Sequence, residues 1–297
     1  MDMVFFLQLV INGLVVGSVY GLVALGFVII FKSTGVVNFA QGEFLLLGAY
    51  ISLAIVNHYA MPFWIAALIT LGFSIVLGML IERLILRPMI GEPVISVIMV
   101  TLGLSSVLKA VVQGIWGTDT RPFPEIFPAS PVQIGPLPVS QGYLWSVACI
   151  AVLLLLFSLF FKYSRAGIAM RATAFSQQVA QSMGISVRRM FALAWAISAV
   201  VSAIGGILLG GVRGGVDAAL AAIGLKVIPV VILGGLDSIP GAIVGGLIVG
   251  VLENLAGGYL DPVFSGGVKE VAPFAILVLI LMIKPYGLFG KVHIERV

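Results

Sequence analysis

The sequence predicts an all-α polytopic membrane protein of about eight or nine transmembrane helices, broken or re-entrant segments among them, forming one domain over residues 1–297. Three observations lead there. Of the 297 residues 61% are hydrophobic and only 9% are charged, where a soluble domain carries about 25% charged residues. The apolar residues fall into runs near the roughly 20 residues that a helix needs to cross the hydrocarbon. Lys and Arg collect between certain runs, and in membrane proteins such clusters report which side a loop lies on. The basic pI near 9.3 is therefore no sign of a nucleic-acid partner.

The first run, 3–31, lacks a basic leader and is too long for a signal-peptide core, so it is kept as a span. Runs at 37–57, 62–86, 94–115, 141–161, 189–212, 217–236, 239–258 and 267–284 follow. Two stretches spoil the pattern. Glycine and polar residues interrupt 32–45, and the same features plus Pro229 interrupt 213–240. Broken backbone of this kind survives at membrane depth only where it is buried in protein or lines a cavity. Lys32, Arg83, Arg87, the cluster at 162–189, and Lys284, Lys291 and Arg296 mark the inner side. The loop 116–140 is proline-rich, with Arg121 set against Asp119 and Glu125, and belongs outside. Nine crossings then place the N-terminus outside and the tail 285–297 in the cytoplasm.

Small residues punctuate the spans. Gly13, Gly17 and Gly21 form a tandem G-x-x-x-G ladder; Gly206 and Gly210, Gly241 and Gly245, and Gly246 and Gly250 repeat the spacing. Lipid provides no hydrophobic force between helices, so close backbone approach must supply the packing. The regions 25–53 and 205–235 share an order of Gly-rich span end, V-[ND] pair, short polar stretch and new apolar run. Transporters are often built from such repeats and handle substrate where broken helices meet.

Candidate chemistry is sparse. Asn38, Gln41 and Glu43 form the most distinctive polar group beside a span. Asn38 and Gln41 have the spacing of a helix capping box, and Glu43 suits a helix N-terminus; equally, a charge inside the bilayer edge usually has a partner or a task, which makes the three candidates for a translocation path. Asn12, Lys109, Gln113, Arg213, Asp217, Lys226, Glu253, Asn254, Lys269 and Glu270 lie in or at the ends of spans, where pairing across a bundle is expected. Cys149 is the single cysteine; it excludes an internal disulfide and reads as an inert core thiol. No G-x-x-x-x-G-K-[ST], H-E-x-x-H or G-x-S-x-G occurs, so neither nucleotide binding by that loop nor hydrolase chemistry is expected, and no metal site is foreseen.

The base-rich stretch 162–189 holds Lys162, Arg165, Arg171, Arg188 and Arg189. Ala172, Phe175, Val179 and Met183 follow a helical stripe, Gly184 suits the end of that helix and Ser186 the start of the next. One short amphipathic helix is predicted, either a solvated loop or a docking element.

These residues also carry a resemblance. NGLVVGSVYGLVALGFVIIFKSTGVVNFAQGEF (12–44), ERLILRPM (82–89), RAGIAMRATAFSQQVAQSMGISVRR (165–189) and VILGGLDSIPGAIVGGLIVGVLE (231–253) together resemble the permease subunits of ABC importers for branched-chain amino acids, closest to the H-type member of the pair. The resemblance covers nearly the whole chain. It implies a multi-pass protein of the bacterial inner membrane that forms a path with a second, M-type permease. It also implies two cytoplasmic ATPase subunits that bind the ATP and Mg, with no cofactor in this chain, and a periplasmic substrate-binding protein. The segment 171–185 would be the coupling element, with Arg171, Phe175, Gln178, Ala180, Met183 and Gly184 meeting an ATPase groove. Many ABC permeases have E-A-A-x-x-x-G there; this chain has Gln178-Val179-Ala180 before Gly184, so apolar docking through Phe175 and Met183 is favoured over charge pairing. Wider relatives carry urea, short amides or aromatic acids. A stand-alone channel or carrier is the reading from another class.

Overall fold

The computed structural model describes residues 3–126, 130–134, 137–285 and 287–290. The tail residues 291–297, with Lys291, His293 and Arg296, lie outside the described residues. The helices are α1 (Met3–Thr34), α2 (Gln41–Tyr59), α3 (Phe63–Ile81), α4 (Val94–Trp116), α5 (Gln141–Tyr163), α6 (Arg165–Phe175), α7 (Gln177–Ser182), α8 (Val187–Arg213), α9 (Ile223–Gly234), α10 (Ile239–Tyr259) and α11 (Val268–Ile283). A π-helical turn, Glu82–Leu86, and a 3-10 turn, Arg87–Met89, continue α3. Among the described residues strands are confined to short pairings, β1 (Arg121–Pro122) with β4 (Gly215–Val216) and β2 (Pro131–Ile134) with β3 (Leu137–Ser140). The chain is thus a polytopic helical membrane protein. Among the described residues six helical stretches, namely α1, Phe63–Met89, α4, α5, α8 and α10, are long and apolar enough to cross a bilayer. The expectation of eight or nine spans meets this coarser result because α9 and α11 are short and α2 carries Gln41, Glu43, Asn57 and His58 at its ends.

The core forms around α1. Its most apolar window is 83% buried, against 17% for that of α4. Side chains cover α1 on all sides from Val19 to Ile30, which fits a helix with no polar face. Its main neighbour is the antiparallel α10, and there the glycine ladder closes: a Cβ on Gly17 would lie 2.6 Å from the Gly246 carbonyl oxygen, and one on Gly13 would lie 2.5 Å from Val251 Cα. The other face of α10 meets α9, where Gly241 sits against Gly234 and a Cβ on Gly245 would lie 2.6 Å from the Val230 carbonyl oxygen. One helix therefore uses two glycine pairs, offset around its axis, to bring two neighbours to backbone contact.

Helices α3, α4 and α5 surround this centre and leave much of their apolar surface outward, including Trp64, Leu68, Phe73 and Val76 on α3 and Val152, Leu155 and Leu156 on α5. Cys149 corrects an expectation: it is exposed, in an outward-facing apolar groove between Trp64 and Trp145, because its helix turns the apolar face that bears it away from the bundle. Lys32, Lys162 and Arg171 gather at one end. The pocket there is lined by Lys32, Thr34, Arg171, Phe175, Gln177 and Asp237, and Glu82 holds Arg87 through two bonds of 3.1 and 2.7 Å. The loop after α4 is at the other end, where β1 pairs with β4.

Replacing Gly17 by leucine should separate α1 from α10 and destabilise the fold by about 1–3 kcal/mol or more. Leucine at Gly72, which has open space around it, is the control. Thermal unfolding of the purified proteins in detergent should show a several-degree loss for the first only.

Candidate functional site at the meeting of two broken helices

Both interrupted stretches break, and the breaks meet, but the second break lies at residues 214–222 and Pro229 stays inside α9. After α1 ends at Thr34, residues 35–40 are non-helical and α2 begins at Gln41, with no side-chain cap. After α8 ends, Asp217 Oδ1 accepts a bond of 3.0 Å from Ala219 N–H and starts a 3-10 turn, Ala218–Ala222, that leads into α9. The first turns of α2 and α9 then touch: a Cβ on Gly224 would lie 2.5 Å from Gly42 N, and Gly42 also meets the Ala221 carbonyl. Gln41 bonds to Ser198 and Ser202, which lie near the middle of the 27-residue α8, so the junction lies near mid-depth. α2 runs from it away from the base-rich end and α9 runs toward that end. The two helices therefore leave the junction in opposite directions.

The polar side chains at this junction are buried and mostly bonded. Gln41, fully buried, donates from Nε2 to Ser202 Oγ at 2.6 Å, and its Oε1 accepts from Asn38 Nδ2 at 3.1 Å and from Ser198 Oγ at 2.9 Å. Asn38 Oδ1 accepts from Ala40 N–H at 3.0 Å. This corrects the capping box. Asn38 closes a turn on its own backbone two residues ahead, and Gln41 reaches across to α8 rather than back to Asn38 N–H. Helix α2 starts too late for Asn38 to cap it.

Glu43 is 5% exposed; its Oε1 accepts from Ser105 Oγ at 2.8 Å. Its Oε2 is buried with no hydrogen-bond partner. Lys109, one turn along α4 from Ser105, is close enough for its charge to act on Glu43 yet is exposed on the outer face of its helix. A lysine at the centre of a lipid-facing helix costs about 2.5–3.5 kcal/mol by insertion scales. Ser105, Ser198 and Ser202 were not singled out by the sequence. The available signal was the pair Ser198 and Ser202, four residues apart on an otherwise apolar helix, hence on one face.

A second charge group, with Glu253 buried, Lys226 partly buried and Glu270 exposed, ties the outer half together. Lys226 Nζ lies 2.8 Å from both Glu253 Oε1 and Glu270 Oε2, linking α9, α10 and α11. Pairing across the bundle was expected, and the cation that serves both acids is Lys226. Asn254 instead donates to the Gly250 carbonyl of its own helix.

At the base-rich end the predicted single helix is two. Ser176 adopts an extended conformation, φ −158° and ψ 115°, and its Oγ accepts from Val179 N–H at 3.3 Å. It ends α6 and caps α7, as a serine side chain that competes with the helical backbone can. Ser164 caps α6 likewise, through Gly167 N–H at 2.9 Å. Gly184 takes φ +80°; Gly184 N–H donates to Gln181 O and Ile185 N–H to Ala180 O, both at 2.9 Å, the paired closure that a left-handed glycine allows. Arg171 donates to the Lys162 carbonyl at 3.2 Å and Ala180 is buried, whereas Phe175 and Met183 are 93% and 77% exposed. Gln178 is exposed as well. This two-helix unit is locked by its caps and offers large apolar side chains that no part of the described chain covers.

The family model for the permease component of branched-chain amino acid transport systems matches residues 9–283. The chain is 33% identical over 311 residues to the high-affinity branched-chain amino acid transport system permease protein LivH of Escherichia coli, covering 99% of this chain and 98% of that protein. It is 30% identical over 309 residues to the permease protein BraD of Pseudomonas aeruginosa, covering 98% of each. The solved structure of PsaBC from Streptococcus pneumoniae in complex with Fab superposes with a TM-score of 0.50 at 15% identity, over 95% of this chain and 92% of that one. At that identity the likeness is one of fold.

Changing Gln41 to leucine leaves Asn38, Ser198 and Ser202 without their shared partner in a buried site. A cost of about 1–3 kcal/mol is expected. Thermal unfolding in detergent should register it, and Gln41→Glu, which retains only the acceptor side, should recover part of the loss.

Proposed function

The chain belongs to the branched-chain amino acid transport permease family, and on that footing we propose that it is the membrane-spanning permease subunit of an ABC importer for leucine, isoleucine, valine or related neutral amino acids. It forms the path with a second, M-type permease in the bacterial inner membrane. A periplasmic binding protein delivers the substrate, and two cytoplasmic ATPases bind ATP and Mg and hydrolyse the nucleotide. This chain supplies no catalytic group to that step.

The observation that carries the reading is the α6–α7 unit. Phe175, Val179 and Met183 stand exposed on two short capped helices at the end of the bundle where the bases gather. There an ATPase surface can grip them. Arg171 anchors the unit to the end of α5, Ala180 packs inward, and Gly184 sets the turn into α8. A movement of the gripped unit passes into α8, whose Ser198 and Ser202 hold Gln41 at the head of α2. Nucleotide can shift the permease between outward- and inward-open states only through contacts that differ in the two states, so the ATPase must hold this unit differently in each.

Changing Phe175 and Met183 together to serine should leave the fold intact, since both side chains are exposed. In the reconstituted importer, leucine uptake should fall at least about tenfold while basal ATP hydrolysis persists, a loss of only about 1.4 kcal/mol in coupling. Uptake equal to that of the unaltered complex refutes the docking role. Gly184→Val, forced to positive φ, should lower uptake with a smaller loss of basal hydrolysis.

A further inference from the structure

Lys109 stands on the outer surface of the bundle, on a helix that would otherwise be read as facing lipid. Along α4, Thr101, Ser105, Lys109 and Gln113 recur every four residues and so form a continuous stripe. Ser106 lies beside it. Thr101 is buried, Ser105 and Gln113 are half-buried, and Ser106 and Lys109 are exposed. The outward faces of α3 and α5 present large apolar side chains such as Leu68, Val76, Leu155 and Leu159, and α4 exposes Met99, Leu102, Val107 and Val111 beside its polar stripe. On α4, Gly103 and Gly114 also have open space beside them. Ser105 is eleven residues from the start of the helix, about 16 Å along its axis at 1.5 Å per residue, so the stripe passes through mid-depth.

Glu43 stands behind the stripe. It is nearly fully buried, Ser105 holds one of its oxygens, and the other has no partner. A buried carboxylate with an unused oxygen next to an exposed ammonium at this depth is an expensive arrangement, and such intramembrane groups usually face a water-filled cavity or a partner. Hydrocarbon would solvate neither. Water and a dipolar solute would solvate the exposed Lys109 ammonium.

Resting on the permease reading, we propose that this face of α4 is a wall of the aqueous translocation path, with Lys109 the residue that binds the carboxylate of a zwitterionic amino acid as it passes. Glu43 is the counter-charge set behind the wall. It lies one turn deeper than Lys109, about 6 Å along the axis, and keeps a lone cation from becoming a trap that holds the carboxylate too long. Ser105 positions Glu43. Ser106 and Gln113 keep the wall wet above and below.

The test uses the assembled importer in membrane vesicles, with Cys149→Ala to remove the native thiol and Ser106→Cys as a reporter. Two water-soluble methanethiosulfonates of similar size, one carrying a sulfonate and one a trimethylammonium, are compared. The new cysteine should react with both. The sulfonate should react about tenfold faster than its intrinsic rate ratio predicts, because the Lys109 field concentrates anions in a confined channel. Adding Lys109→Gln should abolish that preference. Lys109→Gln in the otherwise unaltered importer should cut leucine uptake about tenfold, and Lys109→Arg should restore part of it. A Ser106→Cys protein that resists both reagents but reacts with a lipid-soluble maleimide places this face against lipid or another chain and overturns the proposal. So does normal uptake by Lys109→Gln. If Lys109→Gln does not assemble, the charge preference at Ser106→Cys with Lys109 intact decides. An unaltered complex that takes up no leucine with ATP would instead remove the importer reading.

Discussion

The fold depends on the closeness of α1 and α10. In water a central helix would be held by the expulsion of solvent from its apolar surface. Here α1 is as apolar as the lipid it displaces, so that force is missing and van der Waals contact between backbones must do the work. Gly13 and Gly17 on one side and Gly246 and Gly250 on the other leave no room for a side chain. With α10 fixed on α1, its other face is free to take α9 through Gly241 and Gly245. The starting end of α9 is thereby brought to that of α2. Each later feature of the junction inherits its position from this seam.

Breaking two helices at mid-depth exposes backbone groups that hydrocarbon cannot satisfy. The structure meets this with a few side chains: Asn38 and Asp217 bond the backbone two residues ahead of themselves, and Gln41 joins the α2 end to Ser198 and Ser202 of α8. The result couples three elements that a transport cycle would need to move in concert. The α6–α7 unit feeds directly into α8, so the exposed Phe175 and Met183 connect to the junction through one continuous helix and two hydroxyl bonds. Glu43 is the exception to this economy. Ser105 bonds one of its oxygens and the other has no hydrogen-bond partner, as is also true of Glu253 Oε2.

Much of this was legible in the residues. The apolar runs gave the helices nearly to their ends because a bilayer imposes a length, and the two interruptions were visible because glycine, asparagine and proline are conspicuous among leucines. The ladder of glycines announced close packing without saying which helix would fill it, since spacing carries no information about a partner some 230 residues away. The capping box failed for a related reason. Asn38 and Gln41 have the right separation, but the separation cannot say whether the glutamine turns back along its own chain or outward to a serine on α8. The single amphipathic helix at 171–185 failed because Ser176 sits at its centre, and a hydroxyl that can cap is invisible to a count of apolar residues. Cys149 was misplaced because a helix in lipid is apolar on both its inner and outer faces, so apolar neighbours no longer mean burial.

The α1–α10 seam also bears on how the protein is made. Gly17 leaves the ribosome long before Gly246. At synthesis rates of about 5–20 residues per second, the first helix waits between roughly ten and fifty seconds for its mate. During that interval its glycine groove faces acyl chains, or whatever small-residue helix has already been inserted. The uniform hydropathy of α1 suits this wait, since it can rest alone in the bilayer at no great cost. The wait also makes the last third of the chain, rather than the first, the part whose truncation would leave an inserted but unassembled product for quality-control proteases.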